Sequence, residues 1–303
     1  MAPRVYDFCL LNNIMESIAL NSHSNIFGQL EESLMAHDEN VVTKLADLSQ
    51  HFEAVETGMT YVVLPAYNEA DGLPMLLERI CRVFSDNGKP YHVIVVDDAS
   101  TDETADIAID YSSSMPVTLV QHLKNQNLPG ALRSGLTAAV RLAQEGDVIV
   151  TMDGDDTHPP AFINQLLQKI EEGYDVVTAS RYQIGSRVVG VPKFRVLMTY
   201  GAKLLFQLIM PIPGVRDYTC GYRAYRFNVL EETMNHYGKD FVSEKGFSCM
   251  ADVLLKMRKF KYVFGEVPFL LRYDQKQGLS KMNVGRTVSM SLKLLLKRRF
   301  GGY

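Results

Sequence analysis

The chain has no apolar run long enough to cross a bilayer. Its longest uncharged apolar run, Leu204–Val215, is twelve residues and contains Pro211 and Pro213, against about 18 needed to span. Its four cysteines (Cys9, Cys81, Cys220, Cys249) are scattered without a CxxC pair, and no histidine cluster stands at zinc-ligand spacing. A disulfide framework and a structural metal are therefore not expected, and a reducing cytosol is. The start lacks a basic region followed by a continuous apolar stretch, so no secretory leader is expected. No G-x-G-x-x-G follows the first strand-like run, which argues against a nicotinamide-dependent oxidoreductase. Internal repeats and low-complexity tracts are also missing.

What is present suits one large domain with appendages, or at most two domains: 303 residues, 47% of them hydrophobic. The net charge of -4 conceals an asymmetry, because residues 1–58 hold nine acids against Arg4 and Lys44. We read 1–58 as an acidic, helical or partly disordered extension, with helix-like stretches such as Gln29–Val55, no catalytic residue and an unidentified protein partner. Residues 59–280 form the domain that carries the chemistry, and 281–303 a basic tail.

From Met59 onward, short β-branched runs alternate with amphipathic stretches, the pattern of a mainly parallel sheet flanked by helices. Strands are predicted at Tyr61–Leu64, Val93–Val96, Val117–Val120, Val148–Met152 and Val176–Thr178, and helices at Leu73–Phe84, Glu103–Tyr111, Ala131–Ala143 and Phe162–Glu171. Ser100 and Glu103 have the spacing of a capping box for the second helix.

In open α/β sheets the ligand crevice lies outside the carboxyl ends of the strands, and three of these ends are polar. The first runs into Pro65-Ala-Tyr67-Asn68-Glu69, able to stack on a base and bind a ribose, or simply a turn before a helix. The second ends in Asp97-Asp98-Ala-Ser100-Thr101-Asp102; adjacent carboxylates there require donors or a cation, unless they only cap a helix. The fourth ends in Asp153-Gly154-Asp155-Asp156-Thr157-His158. Three carboxylates in four residues, with a glycine permitting close backbone approach, suit a hard divalent cation open to phosphate; a solvated acidic loop is the alternative. His158 is either a further ligand or a structural residue before Pro159-Pro160.

Leu64-Pro-Ala-Tyr-Asn-Glu69, Val95-Val-Asp-Asp-Ala-Ser-Thr-Asp102, Met152-Asp-Gly-Asp155, Ser180-Arg-Tyr182, Cys220-Gly-Tyr-Arg223 and Ser280-Lys-Met282 stand in that order. In this the chain resembles glycosyltransferase family 2, and within it the dolichol-phosphate (polyprenyl-phosphate) mannose synthases, over about residues 60 to 300. The resemblance implies an α/β, A-type glycosyltransferase fold with a Rossmann-like sheet. It also implies a metal-dependent, inverting hexosyltransferase that moves mannose from GDP-mannose to a lipid phosphate. Pro65, Tyr67, Glu69, Val96, Asp98 and Gly154 are then expected at the nucleotide-sugar, and Asp153 and Asp155 on Mg²⁺ or Mn²⁺. Arg181, Arg272 and Lys281 are expected at the diphosphate or acceptor phosphate, with Arg223 as a further catalytic cation. The acidic motif departs from Asp-Ala-Asp-Leu of close relatives, so Asp156 and Thr157 are expected to alter the metal's outer surroundings.

A phosphate acceptor is ionised at neutral pH and needs no general base, whereas a sugar hydroxyl needs one. The Glu-Asp and Gln-x-x-Arg-Trp signatures of processive polysaccharide synthases are missing, and the chain has no tryptophan. Both facts favour the phosphate. A saccharide, protein or metabolite acceptor, or a non-catalytic nucleotide-sugar-binding subunit, remains the alternative. No nucleic-acid partner is expected.

Two segments point to peripheral attachment at the cytosolic face of a membrane. Lys193–Val215 has the composition of an interfacial helix as much as of a core helix. In the tail, Arg286, Lys293 and Lys297 fall on one helical face and Val284, Val288, Leu292 and Leu295 on the other. That pattern serves a lipid surface, or a helix packed on its own domain with a solvated basic face.

Overall fold

The computed structural model describes residues 4–7, 58–191, 193–272 and 284–300. In chain order the described elements are β1 (Arg4–Asp7), β2 (Thr60–Ala66), α1 (Leu73–Asn87), β3 (Tyr91–Asp97), α2 (Thr104–Tyr111), β4 (Val117–Gln121), α3 (Asn127–Leu142) and β5 (Val148–Thr151). There follow α4 (Ile163–Glu171), β6 (Val176–Ser180), β7 (Arg187–Val189), α5 (Lys193–Ile209), β8 (Arg223–Arg226), α6 (Phe227–Tyr237), α7 (Ser248–Met257), β9 (Phe264–Pro268), β10 (Leu270–Arg272) and α8 (Val284–Phe300). The main sheet has the order β1-β4-β3-β2-β5-β8-β6-β9, and β7 pairs with β10 in a small parallel ribbon. The large sheet is parallel except for β1, antiparallel to β4, and β8, antiparallel to both β5 and β6.

The central strands are near-continuous apolar runs, as strands covered on both faces must be. Successive residues serve opposite cores: Val63, Ile94, Val96 and Ile149 pack with α3, α6 and α7, while Val62, Leu64, Val93, Val95 and Val150 pack with α1 and α4. Helix α1 buries Leu73, Leu76, Leu77, Ile80 and Phe84, one stripe at helical spacing, and stops at Gly88 with φ 66°. Gly135 lets α3 lie on the sheet, since a Cβ there would stand 2.4 Å from Val63 Cγ1.

The predicted strands and helices are all present, with ends shifted by up to four residues; α3 begins at Asn127 rather than Ala131. The capping box is not formed. Helix α2 starts at Thr104, and Asp102 Oδ1 takes up Thr104 N at 3.1 Å, while Ser100 Oγ accepts from Asn68 N at 2.9 Å. Ser100 is thus spent lacing two loops together, and an aspartate two residues later serves the helix. The four residues of β1 form a strand, so the helical reading of the extension does not hold there; Gln29–Val55 lies outside the described residues.

The two membrane-directed segments turn out differently. Helix α5 sends Phe206 into the core but leaves Tyr200, Leu204 and Leu208 51%, 57% and 70% exposed along its opposite side. Helix α8 packs on its own domain through buried Leu294 and Leu295, and Arg298 is buried with Nε 2.8 Å from Asp252 Oδ1. Asp252 Oδ2 also takes Lys256 Nζ at 2.6 Å, and that ammonium donates to Ser243 Oγ at 2.9 Å. Burial lowers the Lys256 pKa, and Asp252 partly restores it. Lys293 and Lys297 are exposed as expected, and Lys297 pairs with Glu244; the side chains of Val284, Arg286, Val288 and Leu292 lie outside the described residues. Among the described residues no helix is long and apolar enough to cross a membrane.

Candidate active site

Strands β3 and β4 lie on one side of β2, and β5 lies on the other. This reversal opens a crevice at the carboxyl ends of β2 and β5. A cleft of about 1260 Å³ occupies it, lined by Pro65, Tyr67, Glu69, Asp98, Asp153, Gly154, Asp155 and Arg181 among others. Eight of the sequence-predicted residues are therefore brought together.

The loops after β2 and β3 are tied to each other by short polar side chains. Asn68, at φ 53°, accepts from Thr101 N at 2.8 Å, and Glu69 N donates to Thr104 Oγ1 at 2.9 Å. The two adjacent aspartates divide their work. Asp97 is fully buried and accepts from Ser100 N, whereas Asp98 lines the cleft. Asp98 Oδ1 receives Gln126 N and His122 Nδ1, each at 2.7 Å, and His122 Nε2 stands 2.8 Å from Ser134 Oγ. His122, just after β4, orients this carboxylate at the cleft wall. Sequence reading missed it because the third strand end carried no acid.

The acidic loop is held residue by residue. Gly154 passes so close to β2 that a Cβ would meet Pro65 O at 2.8 Å. Asp153 N donates to His158 Nδ1 at 3.1 Å, and His158 Nε2 is 3.6 Å from Asp153 Oδ2. A ring whose Nδ1 accepts a backbone N–H carries its proton on Nε2, so both nitrogens serve Asp153 and the imidazole is a support rather than a ligand. Its ring stacks on Tyr222 at 5.2 Å. Asp155 Oδ1 accepts from Thr157 N and Oγ1 at 3.2 and 2.6 Å. Asp156 turns away from the cleft to Arg79, with Oδ2 2.6 Å from Nη1; burial raises its pKa and Arg79 opposes the rise. Two carboxylates at i and i+2 before an open cleft fit a hard divalent cation sharing its other positions with phosphate oxygens. No cluster of three or more His, Cys, Asp or Glu side chains able to cage a metal occurs among the described residues.

Arg181 lines the cleft, but its fork is largely committed. Nε and Nη2 bind Asp217 at 2.7 and 2.6 Å, and Nη2 also reaches Thr219 Oγ1 at 2.6 Å. Burial raises the Asp217 pKa, but the Arg181 charge and hydrogen bonds more than reverse this, leaving it below the ordinary carboxylate range. Asp217, three residues before the Cys220-Gly221 pair, was not anticipated. Cys220 and Cys249 are protonated, their thiols pushed up to about 12, chiefly by burial.

Three expectations change. Arg223 is fully buried and spends Nη1 and Nη2 on the carbonyls of Met250 and Tyr218 at 2.7 and 2.8 Å; it supports the fold from the centre of the sheet and does not line the cleft. Val96 is a fully buried core residue whose Cγ2 would stand 2.9 Å from a Cβ at Gly135. Asp156 faces Arg79 instead of the cleft. Arg272 N donates to Thr157 O at 3.3 Å, which sets β10 against the acidic loop, and Lys281 lies outside the described residues.

The family described as Glycosyl transferase family 2 matches residues 61–234, more than half the chain. The chain belongs to glycosyltransferase family 2. Among curated proteins, this family 2 enzyme is 33% identical over 228 residues to a dolichol-phosphate mannosyltransferase of Pyrococcus furiosus, covering 75% of this chain and 60% of that one. It is 29% identical over 229 residues to a polyprenol monophosphomannose synthase of Mycolicibacterium smegmatis, covering 75% and 82%. Among solved structures, mannosyl-3-phosphoglycerate synthase from Rubrobacter xylanophilus aligns with TM-score 0.55 at 19% identity, covering 84% and 78%. Glucosyl-3-phosphoglycerate synthase from Mycobacterium tuberculosis, in complex with Mg²⁺ and uridine diphosphate, aligns with TM-score 0.54 at 21% identity, covering 80% of each chain. These two show the same fold.

Proposed function

We propose that this family 2 enzyme transfers mannose from GDP-mannose, with inversion, to a polyprenyl phosphate at the cytosolic face of a membrane. The observation that carries the reading is the pair Asp153 and Asp155, set at the end of β5 in one cleft with Pro65, Tyr67 and Asp98. The curated relatives, named for mannosyl transfer to dolichol or polyprenol phosphates, supply the acceptor class.

In this reading Tyr67 stacks on the base and Asp98, aimed by His122, accepts from its N–H groups. Asp153 and Asp155 hold Mg²⁺ or Mn²⁺, which when bound neutralises charge developing on the departing diphosphate. Arg181 Nη1, the nitrogen of its fork without a protein partner among the described residues, turns to the phosphates. An acceptor phosphate oxygen attacks the anomeric carbon from the face opposite the diphosphate. The carbon–oxygen bond to GDP breaks as the new one forms, and no proton has to move. Arg272 and Lys281 stay proposed contacts of the acceptor phosphate. The exposed Tyr200, Leu204 and Leu208 give α5 an apolar strip for the lipid surface.

Incubation with GDP-mannose, Mg²⁺ or Mn²⁺ and a short polyprenyl phosphate is expected to yield lipid-linked mannose. Transfer to a soluble sugar with none to the lipid phosphate overturns the acceptor. GDP-mannose binding indifferent to chelator and to Asp155→Ala, without turnover, supports a binding subunit instead.

A further inference from the structure

Asp156 sits next to the proposed metal ligand Asp155, yet its side chain is directed the other way. The residue is only 8% exposed and its backbone is left-handed at φ 55°, a conformation that aspartate tolerates better than most side chains. Oδ2 lies 2.6 Å from Arg79 Nη1 on α1, and Oδ1 is buried without any hydrogen-bond partner. The carboxylate is therefore committed to Arg79 and offers nothing to the cleft. On its two sides the chain is fixed differently: Gly154 is pressed to Pro65 O, and Thr157 folds back onto Asp155 Oδ1. Between these contacts Asp156 supplies the reversal of the backbone, and Arg79 supplies its anchor outside the cleft.

We propose that Asp156 and Arg79 are a positioning pair, which fixes the acidic loop on α1 so that Asp153 and Asp155 converge on one divalent ion. The inference rests on the metal reading of that site. Neither residue touches metal or substrate; they act through the backbone between Asp155 and Thr157. Supports behind metal-binding side chains typically carry about 10- to 100-fold in metal affinity.

The test is Mn²⁺ binding in the presence of GDP, followed by electron paramagnetic resonance, for the full chain and its Asp156→Asn, Arg79→Ala, Arg79→Lys and Asp155→Ala variants. Asparagine preserves the left-handed turn and removes only the charge. Asp156→Asn and Arg79→Ala are expected to weaken Mn²⁺ by about tenfold, with GDP binding measured without metal unchanged, and Arg79→Lys to restore most of the loss. A merely structural pair would lower metal-free GDP binding to the same extent as Mn²⁺ binding. Mn²⁺ affinity within about twofold of the parent in Asp156→Asn, with Asp155→Ala abolishing it, overturns the pair but spares the metal site. Unchanged Mn²⁺ binding in Asp155→Ala overturns the metal reading itself. If Arg79→Ala fails to fold, Asp156→Asn and Arg79→Lys decide the question alone.

Discussion

A carboxylate in this cleft is defined by what stands behind it. Asp98 and Asp97 are neighbours, and only the one backed by His122 and Gln126 faces the ligand space. His122→Leu is expected to raise KM for the donor about tenfold, the loss of roughly one charge-assisted hydrogen bond, and to leave kcat nearly unchanged; steady-state kinetics with varied donor checks it. Asp217 is the clearest titration probe. Its pKa is lower folded than unfolded, so its stabilisation is full above the ordinary value of 3.8 and drains as pH falls through the folded value. The melting temperature of Asp217→Asn should therefore be lower at pH 7 and fall less steeply on acidification. Removing one partner of so buried a pair costs about 3–5 kcal/mol. The acids of the cleft were legible because clustered carboxylates after apolar strands need a reason. Their supports were not, because His122 and Asp217 lie 24 and 36 residues from the groups they hold.

Strands buried on both faces were readable as β-branched runs, and β2 to β6 appeared where expected. Strand β8 was hidden because Arg223-Ala-Tyr-Arg226 reads as polar, yet its arginines donate to carbonyls of Met250, Tyr218 and Tyr174 inside the fold. The tail helix follows the second of its two readings, packing on its own domain with Lys293 and Lys297 outward. Its period was right for Leu295, but Arg298 enters the interior because Asp252 waits there. Arg298→Ala is expected to cost on the order of 3 kcal/mol by urea titration. It should also speed proteolysis around Ser243, because the same carboxylate helps Lys256 hold that segment.

At the scale of the molecule, the cleft and the exposed strip of α5 lie on neighbouring surfaces, with Tyr200 contributing to both. Flotation with anionic liposomes is expected to recover the parent chain, and Leu204→Asp combined with Leu208→Asp to reduce recovery several-fold while solution GDP binding persists. Equal recovery removes α5 from membrane attachment.

The sheet itself is joined at one seam. Strands β1 to β5 form one continuous hydrogen-bonded block and β6 with β9 another, and β8 alone bridges them. A ribosome delivers β6 before its bridge exists, so the nucleotide side can assemble while the Arg181 side still waits for residue 226. Stalling translation before and after β8 should separate a chain whose β6 is still unpaired from one in which β6 is joined to the nucleotide side. Synthesis order thus makes four residues the clasp of the enzyme.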